Sequence, residues 1–73
     1  MADVVKAGPW FFRANPNNPN ELQRASSANG NFSHVDSIPN GKILDLSTKG
    51  DDVIIEATNG RYVRLHGGGI RKL

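Results

Sequence analysis

Few side chains in this sequence have the types and spacing that catalysis or metal binding requires. The chain has two histidines, His34 and His66, and no cysteine. Neither histidine stands in an H-E-x-x-H or comparable ligand spacing, so a zinc site would have to gather carboxylates from remote positions. Ser26, Ser27, Ser33, Ser37 and Ser47 lack the G-x-S-x-G setting that presents a nucleophile, and they read as loop and strand-end residues. Asp51-Asp52 is an adjacent carboxylate pair beside Lys49-Gly50; it reads as a solvated turn, with a weak cation site as the alternative. Gly67-Gly68-Gly69 has neither the spacing of a phosphate loop nor a helix to open. It suits a hinge before the last residues, or a place where another backbone approaches closely. The expectation is a non-enzymatic protein without cofactor or metal.

Charge and aromatic residues are more informative. Asp45, Asp51, Asp52 and Glu56 precede Asn59-Gly60, whereas Arg61, Arg64, His66, Arg71 and Lys72 follow it. If these blocks stay apart in space, the protein has an acidic and a basic end suited to head-to-tail contacts between copies or to a complementary partner. If they interleave, they form local pairs such as Glu56 with Arg61 across a hairpin. Trp10, Phe11 and Phe12 form the densest aromatic cluster. In a strand Trp10 and Phe12 share one face and Phe11 takes the other, so at least one large ring faces solvent or a partner.

The element that positions most of these groups is Val53 to His66, two apolar-rich runs joined by Asn59-Gly60. Asn-Gly favours a type I′ turn, which needs positive φ at both central residues. Counting outward from it sets Thr58 opposite Arg61, Ala57 opposite Tyr62, Glu56 opposite Val63, Ile55 opposite Arg64, Ile54 opposite Leu65 and Val53 opposite His66. One face then carries Ile54, Val63, Leu65 and Glu56. The other carries Val53, Ile55, Ala57, Tyr62, Arg64 and His66. Neither is purely polar, so one face must be covered by the chain itself and the other is available to a partner.

Around this hairpin the chain reads as all-β. Residues 1–9 form an arm or edge strand broken by Gly8-Pro9, and Trp10 to Arg13 form a strand. Residues 15–31 form a long first loop: NPNNPN is turn-rich, and ELQRASSA after Asn20 admits a short helix, with Asn20 and Gln23 as a capping box and Asn29-Gly30 as its stop. Phe32 to Asp36 is a strand, Ile38-Pro39-Asn40-Gly41 a turn. Lys42 to Ser47 is a strand with Leu44 and Leu46 on one face and Ile43 on the other, and Ile70 to Leu73 is a last strand. Five or six short strands with regular turn signals match a small barrel or sandwich.

The 73 residues suffice for one domain, 1–73, near the lower limit for a core without disulfides, and oligomerisation is a common way for such chains to gain stability. The formal net charge is +2, short of the density of a dedicated nucleic-acid arm. No apolar stretch reaches the ~18 residues of a membrane-spanning helix. MADVVKAGPWFF carries Asp3 and lacks the apolar region and cleavage site of a signal peptide. The expected location is cytoplasmic, or inside a particle assembled there.

Ser37 to Gly68, SIPNGKILDLSTKGDDVIIEATNGRYVRLHGG, resembles the second half of a bacterial SH3-type domain. There an Ile-Pro-x-Gly turn leads into an alternating strand, a hairpin, a strand opening on an aromatic residue, and a glycine-bearing connection to the final strand. The resemblance extends over Trp10 to Leu73. It departs from the family at Gly69-Ile70, where Gly-Trp is usual, and at Tyr62, where Trp is usual. It implies an SH3-like barrel and, for the wall-binding members, peptidoglycan recognition.

The function this reading favours is a protein–protein interaction module. It would be a small structural or accessory component of a larger assembly such as a phage particle, binding a protein partner or copies of itself as a homo-oligomer. Its contact residues are Trp10, Phe11, Tyr62, Arg64 and Ile70. Cell-wall binding is the first alternative; nucleic-acid binding, with the same cations and with Tyr62 and Trp10 as stacking platforms, is the second. If the surface is so placed, replacing Tyr62 and Arg64 by alanine abolishes partner binding and leaves the circular dichroism unchanged.

Overall fold

The computed structural model describes residues 4–73. Its first hairpin follows from Gly8-Pro9. Gly8 takes φ +61° and Pro9 supplies the ring-fixed negative φ after it, the combination a two-residue type II′ turn uses. Strand β1 (Val5–Ala7) therefore folds back on β2 (Trp10–Ala14), with Ala7 opposite Trp10 and Val5 opposite Phe12. Residues 1–3 of the expected N-terminal arm lie outside the described residues.

The expected long loop and helix are replaced by a central strand. Glu21–Ala25 forms β3, paired with β2 on one side and with β4 (Ser33–Ser37) on the other. Two turns of isolated helix are marginal in water, whereas the strand satisfies its backbone on both edges and sets Leu22, 0% exposed, against Ala14. Gln23, the residue expected to close a capping box, instead accepts a hydrogen bond from Arg13 Nε at 3.0 Å across the sheet. NPNNPN is tied down: Asn17 N donates to Asn15 Oδ1 (2.9 Å), and Asn15 N donates to the Glu21 carbonyl (2.9 Å).

The second half repeats the meander with β5 (Ile43–Lys49), β6 (Asp52–Ala57), β7 (Gly60–Arg64) and β8 (Ile70–Lys72). The result is all-β: two four-stranded antiparallel sheets ordered β1-β2-β3-β4 and β5-β6-β7-β8, with no helix among the described residues. The expected five or six strands become eight, and the sheets are two separate ladders, not one closed barrel. Their shared core joins Phe12, Ala14, Leu22 and Ile38 to Ile43, Leu46, Val53, Ile55 and Tyr62.

Two register details differ from the sequence expectation. Ala57 pairs with Gly60, Glu56 with Arg61 and Val53 with Arg64, so the tight turn is Thr58-Asn59 instead of Asn59-Gly60. Tertiary bonds decide this. Asn59 Nδ2 donates to the Pro39 carbonyl (2.8 Å), Thr58 N donates to the Lys42 carbonyl (2.9 Å), and Lys42 N donates to Thr58 Oγ1 (3.0 Å). Gly41 makes room, since a Cβ there would lie 2.2 Å from Asn59 Oδ1. The strands slide by two residues, an even number, so the expected partition of faces survives. In β5 a bulge between Ile43 and Asp45 leaves Leu44 without a ladder partner. Ile43 and Leu46 therefore both enter the core while Leu44 stays 61% exposed, reversing the expected grouping.

Because Leu22 is sealed between the sheets, Leu22→Ala is expected to cost about 2–5 kcal/mol. Urea unfolding monitored by circular dichroism measures it; a loss below about 1 kcal/mol would be inconsistent with β3 as a core strand.

Candidate functional site

Three local features converge beside the first turn. Alternation in β2 turns Trp10 and Phe12 toward the second sheet, while the Gly8-Pro9 turn projects past the strand ends. From the second sheet, Asp51 in the β5–β6 turn, Arg64 at the end of β7 and His66 just beyond it complete a cleft of about 250 Å³. Its walls are largely aromatic and apolar, its floor carries a guanidinium, and Asp51 stands beside Gly8.

Arg64 is the unusual residue. It shares the inner face of β7 with Tyr62 and is only 6% exposed, a level arginine reaches only when its charge is compensated. Its Cζ lies 5.3 Å from the centroid of the Phe12 ring, and Nη1 donates to the Leu65 carbonyl at 3.2 Å. Asp36 Oδ2 approaches Nε to 3.5 Å, close enough for ion pairing, yet Nε is buried and makes no hydrogen bond. A bulge opposite Leu22/Gln23 brings Asp36 here: it shifts the β4 register so that Asp36, opposite Leu22, faces inward. The guanidinium thus has a counter-charge but more donors than acceptors.

Elsewhere the hairpin interleaves the charge blocks. Glu56 and Arg61 sit directly opposite and form an ion pair, and Asp52 Oδ1 accepts from His66 N at 2.9 Å with the ring Nδ1 3.4 Å away. Separate acidic and basic ends therefore do not form on this hairpin. Among the described residues no group of three or more His, Asp or Glu is placed to hold a metal.

Of the five expected contact residues, Trp10 and Arg64 meet at the cleft. Phe11 lies on the opposite face of the first sheet, with Lys6 Nζ 5.7 Å from its ring centroid. Ile70 pairs with Arg64 in the ladder and packs partly on the core. Tyr62 is a core residue at 4% exposure, and Arg64, also buried, lines the cleft. The expected exposed Tyr62–Arg64 patch is thus corrected: the first sheet covers that face of the hairpin. Sequence reasoning also missed the cation–aromatic contacts of Arg13 with Phe32 (4.2 Å) and Arg24 with Trp10 (4.1 Å). Their signal was the adjacency of three aromatic residues and an arginine in WFFR, but the partners, Arg24 and Phe32, come from β3 and the residue before β4.

Compared with protein-family models, with curated proteins and with solved structures, the chain matches none.

Tyr62→Ala is expected to lower stability by about 3–5 kcal/mol, the range for deleting a buried aromatic ring. A thermal or urea midpoint unchanged from the parent would show that the ring lies outside the core.

Proposed function

We propose that this chain is a non-enzymatic protein–protein interaction module, a small structural or accessory component of a larger assembly such as a phage particle. The observation that carries this reading is the second face of the β6–β7 hairpin. The inner face is consumed by the core, while the outer face sets Ile54 opposite Val63, with Leu65 on the same side. Val63 is only 6% exposed although it stands outside the core cluster, and the row continues across the ladder to Arg71. Val63 is thus already covered by its own chain, and what this face leaves to a partner is the half-buried Ile54 and Leu65, framed by the Glu56–Arg61 pair as an apolar patch with a polar rim. An SH3-like origin is part of the same proposal. Its support is the element order: the Ile38–Gly41 turn, β5, the β6–β7 hairpin, and the glycine connection before β8.

A second reading has its own observation. The outer face of the first sheet interleaves Lys6 with Phe11 and Arg13 with Phe32, a pattern in which aromatic rings stack bases and cations meet phosphates. It predicts a gel shift of a single-stranded oligonucleotide at about 50 mM salt that fades as salt rises; no shift at that salt removes it.

Light scattering on the purified chain tests the first reading. A mass above the 7.9 kDa monomer that is insensitive to salt and returns to monomer in Ile54→Lys is the expected result. A monomer at every concentration, with Ile54→Lys indistinguishable from the parent, overturns self-association through this face.

A further inference from the structure

We propose that the cleft at Arg64 binds an apolar carboxylate, of the kind a protein partner presents as its free C-terminal residue. The inference rests on the interaction-module reading only for the source of the ligand. Three observations carry it, none of which involves the outer face of the second sheet.

First, Arg64 is more than nine-tenths buried and lines the cleft; among the described residues its one side-chain hydrogen bond runs from Nη1 to the Leu65 carbonyl, and since Nε is sealed beside Asp36, the donors left for the cleft are the remaining Nη hydrogens. Buried polar groups in folded proteins are normally satisfied, so spare donors at the floor of a cleft call for an acceptor from outside. A guanidinium fork matches a planar carboxylate in two parallel bonds. Second, the remaining wall is apolar: Pro9, Trp10 and Phe12 face the same space. A ligand that carries its carboxylate and an apolar side chain on one carbon fills both halves of a 250 Å³ cleft, whereas an acidic side chain offers only methylenes to the wall. Third, the surrounding charge disfavours multiply charged anions. Asp36 stands 3.5 Å from Arg64 Nε, Asp51 lies at the mouth, and the His66 ring is held 3.4 Å from Asp52. One cation compensated this closely suits a monoanion better than a phosphate.

Trp10 is the only tryptophan in the chain and lines the cleft, so its fluorescence reports occupancy without a label. The probes are N-acetylleucine, its amide, acetate and inorganic phosphate. N-acetylleucine is expected to give a saturable change with a Kd on the order of 1 mM, as its size allows. The amide, which lacks the carboxylate, gives none, and acetate binds more weakly because it lacks the apolar group. Arg64→Lys keeps the positive charge beside Asp36 but loses the fork, and is expected to weaken binding about tenfold with unchanged circular dichroism. If that variant unfolds, the acid-against-amide comparison on the parent protein still decides. Equal responses to acid and amide, tighter binding of phosphate, or no response would each overturn the site; the last would mean that water completes Arg64. A peptide ending in leucine tests the source. Binding at least as tight as N-acetylleucine and lost on C-terminal amidation supports a chain terminus, and weaker binding overturns that source. These titrations are independent of the light-scattering result, so the cleft and the apolar outer face fail or stand separately.

Discussion

Everything in this molecule depends on two locally formed meanders burying one face each against the other. A four-stranded sheet that is apolar on one side is unstable alone, and neither half of the chain carries enough large side chains for a private core. Phe12 and Leu22 from the first sheet, with Val53 and Ile55 from the second, are essentially sealed from solvent. Each contributes about 1.5–3 kcal/mol of transfer free energy on the usual scale. The linker between the sheets is held by the same logic: Ile38 is buried, its N–H donates to the Asn20 carbonyl at 2.9 Å, and Ile43 N donates to the Pro19 carbonyl at 2.7 Å. These bonds tie the asparagine-rich turn to the point where one sheet gives way to the next.

That packing creates an electrostatic anomaly at Arg64. Closing the sheets carries Arg64 from what would be a hairpin surface into the interior, next to Phe12 and within 3.5 Å of Asp36. The bulge that turns Asp36 inward and the Gly8-Pro9 turn that leaves the cleft open are both backbone irregularities, and both serve the same residue. A buried arginine with a carboxylate beside it and a void in front of it is a costly arrangement for stability alone. Because Arg64 both lines the cleft and packs on Phe12, the proposed binding and the integrity of the core cannot be separated by simple truncation.

Much of the fold could be read from the sequence. The period-two patterning of Val53 to Arg64, the turn at Ile38–Gly41, the strand at Ser33–Ser37 and the short strand after the glycine run all appear where the residues suggest. Trp10 and Arg64, singled out by residue type, line the same cleft. What was not legible shares one feature: it depends on contacts distant in sequence. Glu21–Ala25 has weak local preference, and becomes a strand because two neighbours supply partners for both of its edges. Leu44 turns outward because of a bulge that no local pattern announces. The Thr58-Asn59 turn prevails over Asn59-Gly60 because Pro39 and Lys42 bond to it from another loop.

The sequence by itself determined the all-β class, the positions of most turns, and the division of the β6–β7 hairpin and of β2 into two faces, because alternation and turn chemistry are properties of neighbouring residues. The tertiary structure alone decided which of those faces is inside. That choice made Tyr62 core in place of surface, reduced Arg64 to a group reached through a cleft, and left Ile54 and Leu65 outward. The physical reason is that burial is a property of two surfaces meeting, and a strand apolar on both sides carries no local mark of which side its partner sheet will cover.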